Sequence, residues 1–192
     1  MDLTKNIELE SIARSAMLAL FDGLNDSITT MNALWEDRDD LFYARINRDD
    51  PKVSVETIAV DNFYVGHVPS LIQAPLDKYP NCAVLAVQGD SVNSSSDWAE
   101  TYGVTLWVEL MCKSVDSEEE VNSRLLRTME AAHSVMMSGD NRRLGGMVSS
   151  ISNTPSVTVG DVFVRRESHG HGDRWFWQGA RLAYQVQKEL LY

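Results

Sequence analysis

The chain has little that would announce chemistry. Two cysteines in 192 residues cannot build a disulfide framework, and Cys82 and Cys112 each sit in a strand-like run where a small apolar side chain fits, so both are expected as buried free thiols. No apolar run approaches the ~20 residues of a membrane span. The acidic start Met1-Asp2 lacks the basic region and apolar core of a secretory signal, so a protein cytosolic when made is expected. Basic residues are scarce as well: 17 Lys and Arg face 28 Asp and Glu, a formal net charge of −11. That balance argues against a sequence-independent grip on nucleic acid, which needs cations spread along the phosphates. There is no Gly-x-Ser-x-Gly elbow for a nucleophile, and no glycine-rich loop ending in Gly-Lys-Ser/Thr to cradle a phosphate. Neither a repeat of solenoid length nor a low-complexity segment is present. The length suits one domain spanning residues 1–192.

What is present is regular. Tyr102, Val104, Leu106, Val108, Leu110 and Cys112 recur at every second position, with Thr101, Thr105, Glu109 and Lys113 on the other parity, the pattern of a strand with one buried face over residues 101–113. Ser117 and Glu120 then form a capping box, in which the hydroxyl accepts from the Glu120 amide and the carboxylate returns the bond, opening a helix over residues 117–137. The sequence Ser138-Gly139-Asp140-Asn141 closes it, glycine taking the left-handed cap. Ahead of this unit, apolar residues from Ile12 to Met31 fall three and four apart. They predict one helix over about residues 8–33, open to a kink where Gly23 and the pair Asn25-Asp26 weaken its middle. The acidic cluster Glu36, Asp37, Asp39 and Asp40 is expected after that helix as a solvated polar surface, since Arg38, Arg45 and Arg48 interleave with it and no calcium-loop spacing appears.

Residues 49–80 read as an irregular excursion, interrupted by Pro51, Pro69, Pro75 and Pro80, with short elements at most: a strand over 53–60 and a helical turn over 67–72. Strands are expected over 82–88, 147–151, 157–159, 161–167 and 174–190, with polar loops over 89–97 and 168–173. The residues alone therefore reach an α+β domain. In the last strand Phe176, Ala180, Leu182, Tyr184, Val186 and Leu190 share one parity and are expected to face the helices, while Trp175, Trp177 and Arg181 share the other.

Two constellations carry candidate function. His169 and His171, two apart on an extended chain with Asp173 beyond, could ligate zinc or copper; histidines between glycines more commonly make a polar turn, and no paired cysteine or His-x-x-Glu-His run supports a metal. The reading therefore assigns no metal, cofactor or catalytic residue. Trp175, Trp177 and Arg181, joined by Trp107 if the strands pair, line the sheet face opposite the helices. That much aromatic surface is rarely left to solvent, and tryptophan and arginine are enriched at binding hot spots. They form the candidate subunit interface, with cover by residues 49–80 as the alternative.

The order and length of these elements, and in particular the strand TYGVTLWVELMCKS followed by SEEEVNSRLLRTMEAAHSVM, resemble the tail terminator, or tail-to-head joining, proteins of long-tailed bacteriophages. The resemblance covers most of the chain and rests on no short diagnostic motif; the chain departs from it in a longer middle segment, 49–80. It implies a mostly antiparallel sheet packed against two amphipathic helices. It also implies a non-enzymatic virion protein at the head-tail junction, assembled in the host cytoplasm as a hexameric ring. That ring stops tail tube growth, meets the tail tube protein and the head-tail connector, and lets genome DNA pass without specific binding or any membrane. The alternatives are another neck or tail protein, such as a head-completion or tail tube component, and a metal-binding protein using His169, His171 and Asp173.

Overall fold

Alternating apolar side chains over long stretches give two long strands, and these strands find each other. In a computed structural model of the protein, which describes residues 3–49, 52–66, 78–88, 94–95, 99–166 and 174–191, β4 (Ala99–Ser114) pairs antiparallel with β8 (Arg174–Leu191) from Ala99 opposite Leu191 to Ser114 opposite Phe176. On the other side of β4 lies β2 (Asn81–Gln88), also antiparallel, and beyond it β1 (Phe63–Val65), the one parallel neighbour among the described strands. A two-residue β3 (Ser94–Ser95) adds to the end of β4. The far edge of β8 carries β5 (Ser150–Ile151), β6 (Ser156–Val159) and β7 (Phe163–Arg166), all antiparallel to it. The fold is α+β, with a mostly antiparallel sheet as expected.

Both long helices, α1 (Leu3–Ile46) and α2 (Glu118–Met137), lie on one face. Under them one core takes Val104, Leu106, Val108 and Leu110 from β4, Leu182, Tyr184 and Val186 from β8, and Cys82 and Val84 from β2. The even parity of both long strands is thus the buried one. Cys82 and Cys112 are free and buried, and burial pushes their thiols up to about 12 and about 11; neither has thiolate character near neutral pH. The helix α1 continues through Gly23. A Cβ there would stand 3.1 Å from Val135 Cγ1, so the missing side chain lets the two helices approach closely.

The first helix is 44 residues long and does not stop at residue 33. The acidic cluster belongs to it. Carboxylates near a helix C-terminus oppose the helix dipole, but here they gain partners from α2 and the following segment. Arg127 pairs with Asp39 and holds its guanidinium 5.5 Å from the Trp35 ring centroid; Trp35 Nε1 donates to Glu130 at 2.9 Å, and Lys52 Nζ lies 2.5 Å from Asp40. With Trp35 buried, the apolar stripe of α1 simply continues.

After α1 the chain returns along residues 52–59, which join no ladder. The expected strand over 53–60 is replaced by a strap tied to α1 by side chains. Asn32 Nδ2 donates to Val55 O and Asn32 Oδ1 accepts from Val55 N, both at 3.1 Å; Asn25 does the same for Ile58, at 2.9 and 2.8 Å. Seven helical residues rise about 10.5 Å and three extended residues span about 10 Å, so two asparagines two turns apart meet peptides three apart. Val53, Val55 and Ile58 are buried beneath the strap. The turn expected over 67–72 and the loop 168–173 lie outside the described residues.

The capping box of α2 is half made. Ser117 Oγ accepts from Glu120 N at 3.0 Å, but the Glu120 carboxylate accepts from Ser114 Oγ at 2.7 Å and from Arg124 at 2.6 Å, while the Ser117 amide donates to Ser114 Oγ at 3.5 Å. Ser114 thus stands between the two partners. Burial raises the Glu120 pKa, yet the Ser114 hydrogen bond and the Arg124 charge outweigh it and hold the carboxyl below its ordinary value.

Two outcomes follow for stability. Asn25→Ala removes both bonds to Ile58 and leaves partly buried peptide groups unmet, and it is expected to cost about 1–3 kcal/mol in a urea melt. Because the folded pKa of Glu120 is depressed, its contribution is complete above the unfolded value and is lost as pH falls through the folded one. The unfolding free-energy gap between wild type and Glu120→Gln should therefore be open at neutral pH and close below the glutamate range.

Candidate subunit interface

The ladder that buries the even parity turns the odd parity of β4 and β8 to the other face. Glu109 stands opposite Arg181 and Met111 opposite Gly179. Arg181 Nη2 and Nε donate to Glu109 Oε1 at 2.5 and 3.0 Å, and the guanidinium lies 4.1 Å from the centroid of the Trp107 ring. Trp107 and Arg181 are half-buried. An indole face under a guanidinium that is itself paired makes a flat, preset contact surface, the cation–π part worth about 0.5–1 kcal/mol at an exposed site.

The four candidate residues do not form one patch. Trp177 lies opposite Lys113 in the ladder, six residues along β4 from Trp107 and so about 20 Å away. Trp175 is only 2% exposed. Its ring centroid is 5.4 Å from that of Tyr79, which comes from the irregular segment, and Trp177 stands 6.0 Å from Tyr79 and stacks on Phe163 at 4.4 Å. The alternative burial by the 49–80 excursion therefore holds for Trp175, which is interior. Trp107 and Arg181 are half-buried farther along the same face, and Trp177 is half-buried beside Tyr79 and Phe163.

Between them Glu109, Met111, Gly179 and Arg181, with Thr158 and Gly160 from the next strand, line an open depression of about 300 Å³. The sheet surface is lowest where two glycines replace side chains. Gly160 N donates to Gly179 O at 2.9 Å and Gln178 Nε2 donates to Gly160 O at 2.9 Å, which holds the outer chain close to β8 at this point.

That outer chain was not read as a surface from the sequence. In β6 Val159 pairs with Ala180, and in β7 Phe163 pairs with Trp177; three residues lie between the paired positions on the outer chain and two on β8, which is a one-residue bulge. The bulge exchanges parity, so Val157 and Val159 before it and Val164 after it share a sheet side, while Phe163 points to the side of Trp177. These four are exposed, Val157 by 52%. The projecting end of α1 is a second such surface, with Leu34, Leu41, Phe42 and Ile46 exposed, Leu41 by 75%. The sequence signal was the spacing from Leu34 to Leu41 and from Phe42 to Ile46, which keeps helical period past residue 33.

His169, His171 and Asp173 lie outside the described residues. Among the described residues no group of three or more His, Cys, Asp or Glu could hold a metal ion, and no helix is long and apolar enough to cross a membrane. No protein-family model matches the chain, and no curated protein matches it.

The two classes of tryptophan should separate by mutation. Trp175→Ala is expected to destabilise the fold by about 3–5 kcal/mol, the cost of emptying a core aromatic site, whereas Trp107→Ala should cost about 1 kcal/mol or less and act instead on self-association. Urea melts beside light-scattering mass measurements give both quantities for each variant.

Proposed function

We propose that this chain is a structural virion protein of a long-tailed bacteriophage, forming a ring at the head-tail junction that ends tail tube growth and joins the tail to the head connector. The observation that carries the reading is the one-sided sheet. Two helices cover one face, while the other holds the half-buried Trp107, Arg181 and Glu109 cluster. Indole and guanidinium held in a preset geometry are the ingredients of a protein interface. The resemblance in the order of elements supplies the rest of the proposal: copies of this chain as ring partners, with the tail tube protein on one side and the connector on the other. Each subunit of a ring must offer two different complementary surfaces. A net charge of −11 suits a conduit, because DNA passes an acidic wall without adhering.

The test is mass measurement of the purified protein alone and with isolated tail tubes, together with tube length in assembly reactions. Multimers that bind tube ends and hold tube length constant are the expected result. A strict monomer that neither binds tubes nor alters their length overturns the reading.

A further inference from the structure

We infer that the depression between the 3-10 segment after α2 (Gly139–Gly146) and β5 is a binding site for a phosphate-type oxyanion, either free or carried by a phosphomonoester. It has a volume of about 460 Å³, and Asp140, Arg142, Arg143, Ser149 and Ser150 line it. The arginines are what set it apart. Arg14, Arg38, Arg124, Arg127, Arg174 and Arg181 each pair with a carboxylate, whereas Arg142 and Arg143 have no carboxylate partner among the described residues. Arg142 Nη2 donates instead to Asn153 Oδ1. A neutral amide orients a guanidinium and leaves its charge uncompensated. Asp140 is the one carboxylate among these lining residues, and the two arginines outnumber it.

The backbone that carries these side chains is anchored on both walls. Leu144, next in sequence, is buried in the core, with a φ of 47° that leucine rarely adopts, and Arg143 O accepts from Val148 N at 3.2 Å. On the other side Asn141 Nδ2 donates to Val135 O, in the last turn of α2, at 2.9 Å. The facing wall hangs on β8. Ser149 N donates to Gln187 O at 2.8 Å, and Ser150 stands opposite Gln187 in the ladder. Guanidinium donors therefore sit on one fixed wall and hydroxyl donors on the other. A ligand that satisfies both needs negative charge and at least three acceptor oxygens spread in space, which phosphate has and a halide or a single carboxylate lacks.

Amide shifts of the nitrogen-15-labelled full chain, followed as sodium phosphate replaces sodium chloride at constant ionic strength, test the site. Saturating shifts confined to residues 139–151 are expected. Both arginines are exposed, so Arg142→Ala with Arg143→Ala should leave the chain folded by circular dichroism and weaken binding at least about tenfold. Arg45→Ala with Arg48→Ala removes the same exposed charge at the end of α1 and should change binding less than about twofold, because distant charges are screened. Asn153→Ala removes no charge but releases Arg142, and should weaken binding about threefold; Asp140→Asn should tighten it about as much. If the alanine pair unfolds the segment, Arg142→Lys with Arg143→Lys keeps both charges without the planar fork and should still weaken binding. Glycerol phosphate in place of inorganic phosphate separates the two sources: tighter binding assigns the site to an esterified phosphate, weaker binding to the free anion. Shifts that fail to saturate or that spread over the chain, or an Arg45 and Arg48 pair that matters as much as Arg142 and Arg143, overturn the proposal.

Discussion

The antiparallel ladder between β4 and β8 fixes everything else in the molecule. Sixteen consecutive residues, from Ala99 to Ser114, have partners from Leu191 to Phe176. Side chains alternate with a period of two, so a slip of one residue would send Leu106, Val108 and Leu110 to the far face and bring Trp107 and Glu109 beneath the helices. Moving those three leucine and valine side chains out of the core would forfeit about 1.5–3 kcal/mol each, and Glu109 would have to be buried away from Arg181. The register is therefore set by what each face can tolerate. Because it is set, Glu109 meets Arg181, Met111 meets Gly179, and the aromatic and charged groups of the outer face arrive in fixed order.

A second constraint acts through polar side chains that do the work of backbone. Residues 52–59 have no strand partner, yet Val55 and Ile58 have their peptide groups satisfied by Asn32 and Asn25. Each asparagine offers a donor and an acceptor about as far apart as those of a peptide group, so a helix face can imitate a ladder where no strand is present. The same device recurs nearby. Arg127 Nη1 donates to Val53 O at 2.5 Å, and Arg124 joins Glu56 at 2.8 Å while also reaching Lys113 O at 3.2 Å. Strap, helices and sheet are thus held in one arrangement by long side chains that cross from element to element. Ser114 and Glu120 extend that network to the start of α2, which is why Glu120 leaves the cap to which its position would assign it.

Periodicity was enough to find the sheet and α2. The strands at 82–88, 101–113 and 174–190 and the helix at 117–137 stand close to where alternation and capping put them, because in each the local pattern and the packed face agree. It failed where tertiary partners decide. Nothing in Glu36-Asp37-Arg38-Asp39-Asp40 says that Arg127 and Lys52 will neutralise a helix end, so α1 looked some thirteen residues shorter at its C-terminal side than it is. Asn25 read as a weak point in that helix when it is an anchor. For the interface, parity correctly put Trp107, Trp175, Trp177 and Arg181 on one face, but parity says nothing of what lies above a face. The placement of Tyr79 over Trp175 is a long-range contact with no local signature. The exposed valines at 157, 159 and 164 were legible as strand residues only, since exposure of an edge depends on which strands happen to be its neighbours.

The surface left by these constraints is uneven in a way that bears on assembly. Folding could have hidden Val157, Val159, Leu41 and Phe42 by ending α1 earlier or by placing charge on the outer strand, changes that cost little at exposed positions. Both groups of apolar side chains are instead exposed on an acidic chain. At physiological ionic strength, charges more than about 8 Å apart are largely screened, so the overall value of −11 governs approach only weakly. The final contact is decided by the few groups within that distance. Two unlike surfaces on one chain propagate, whereas two like surfaces stop at a pair.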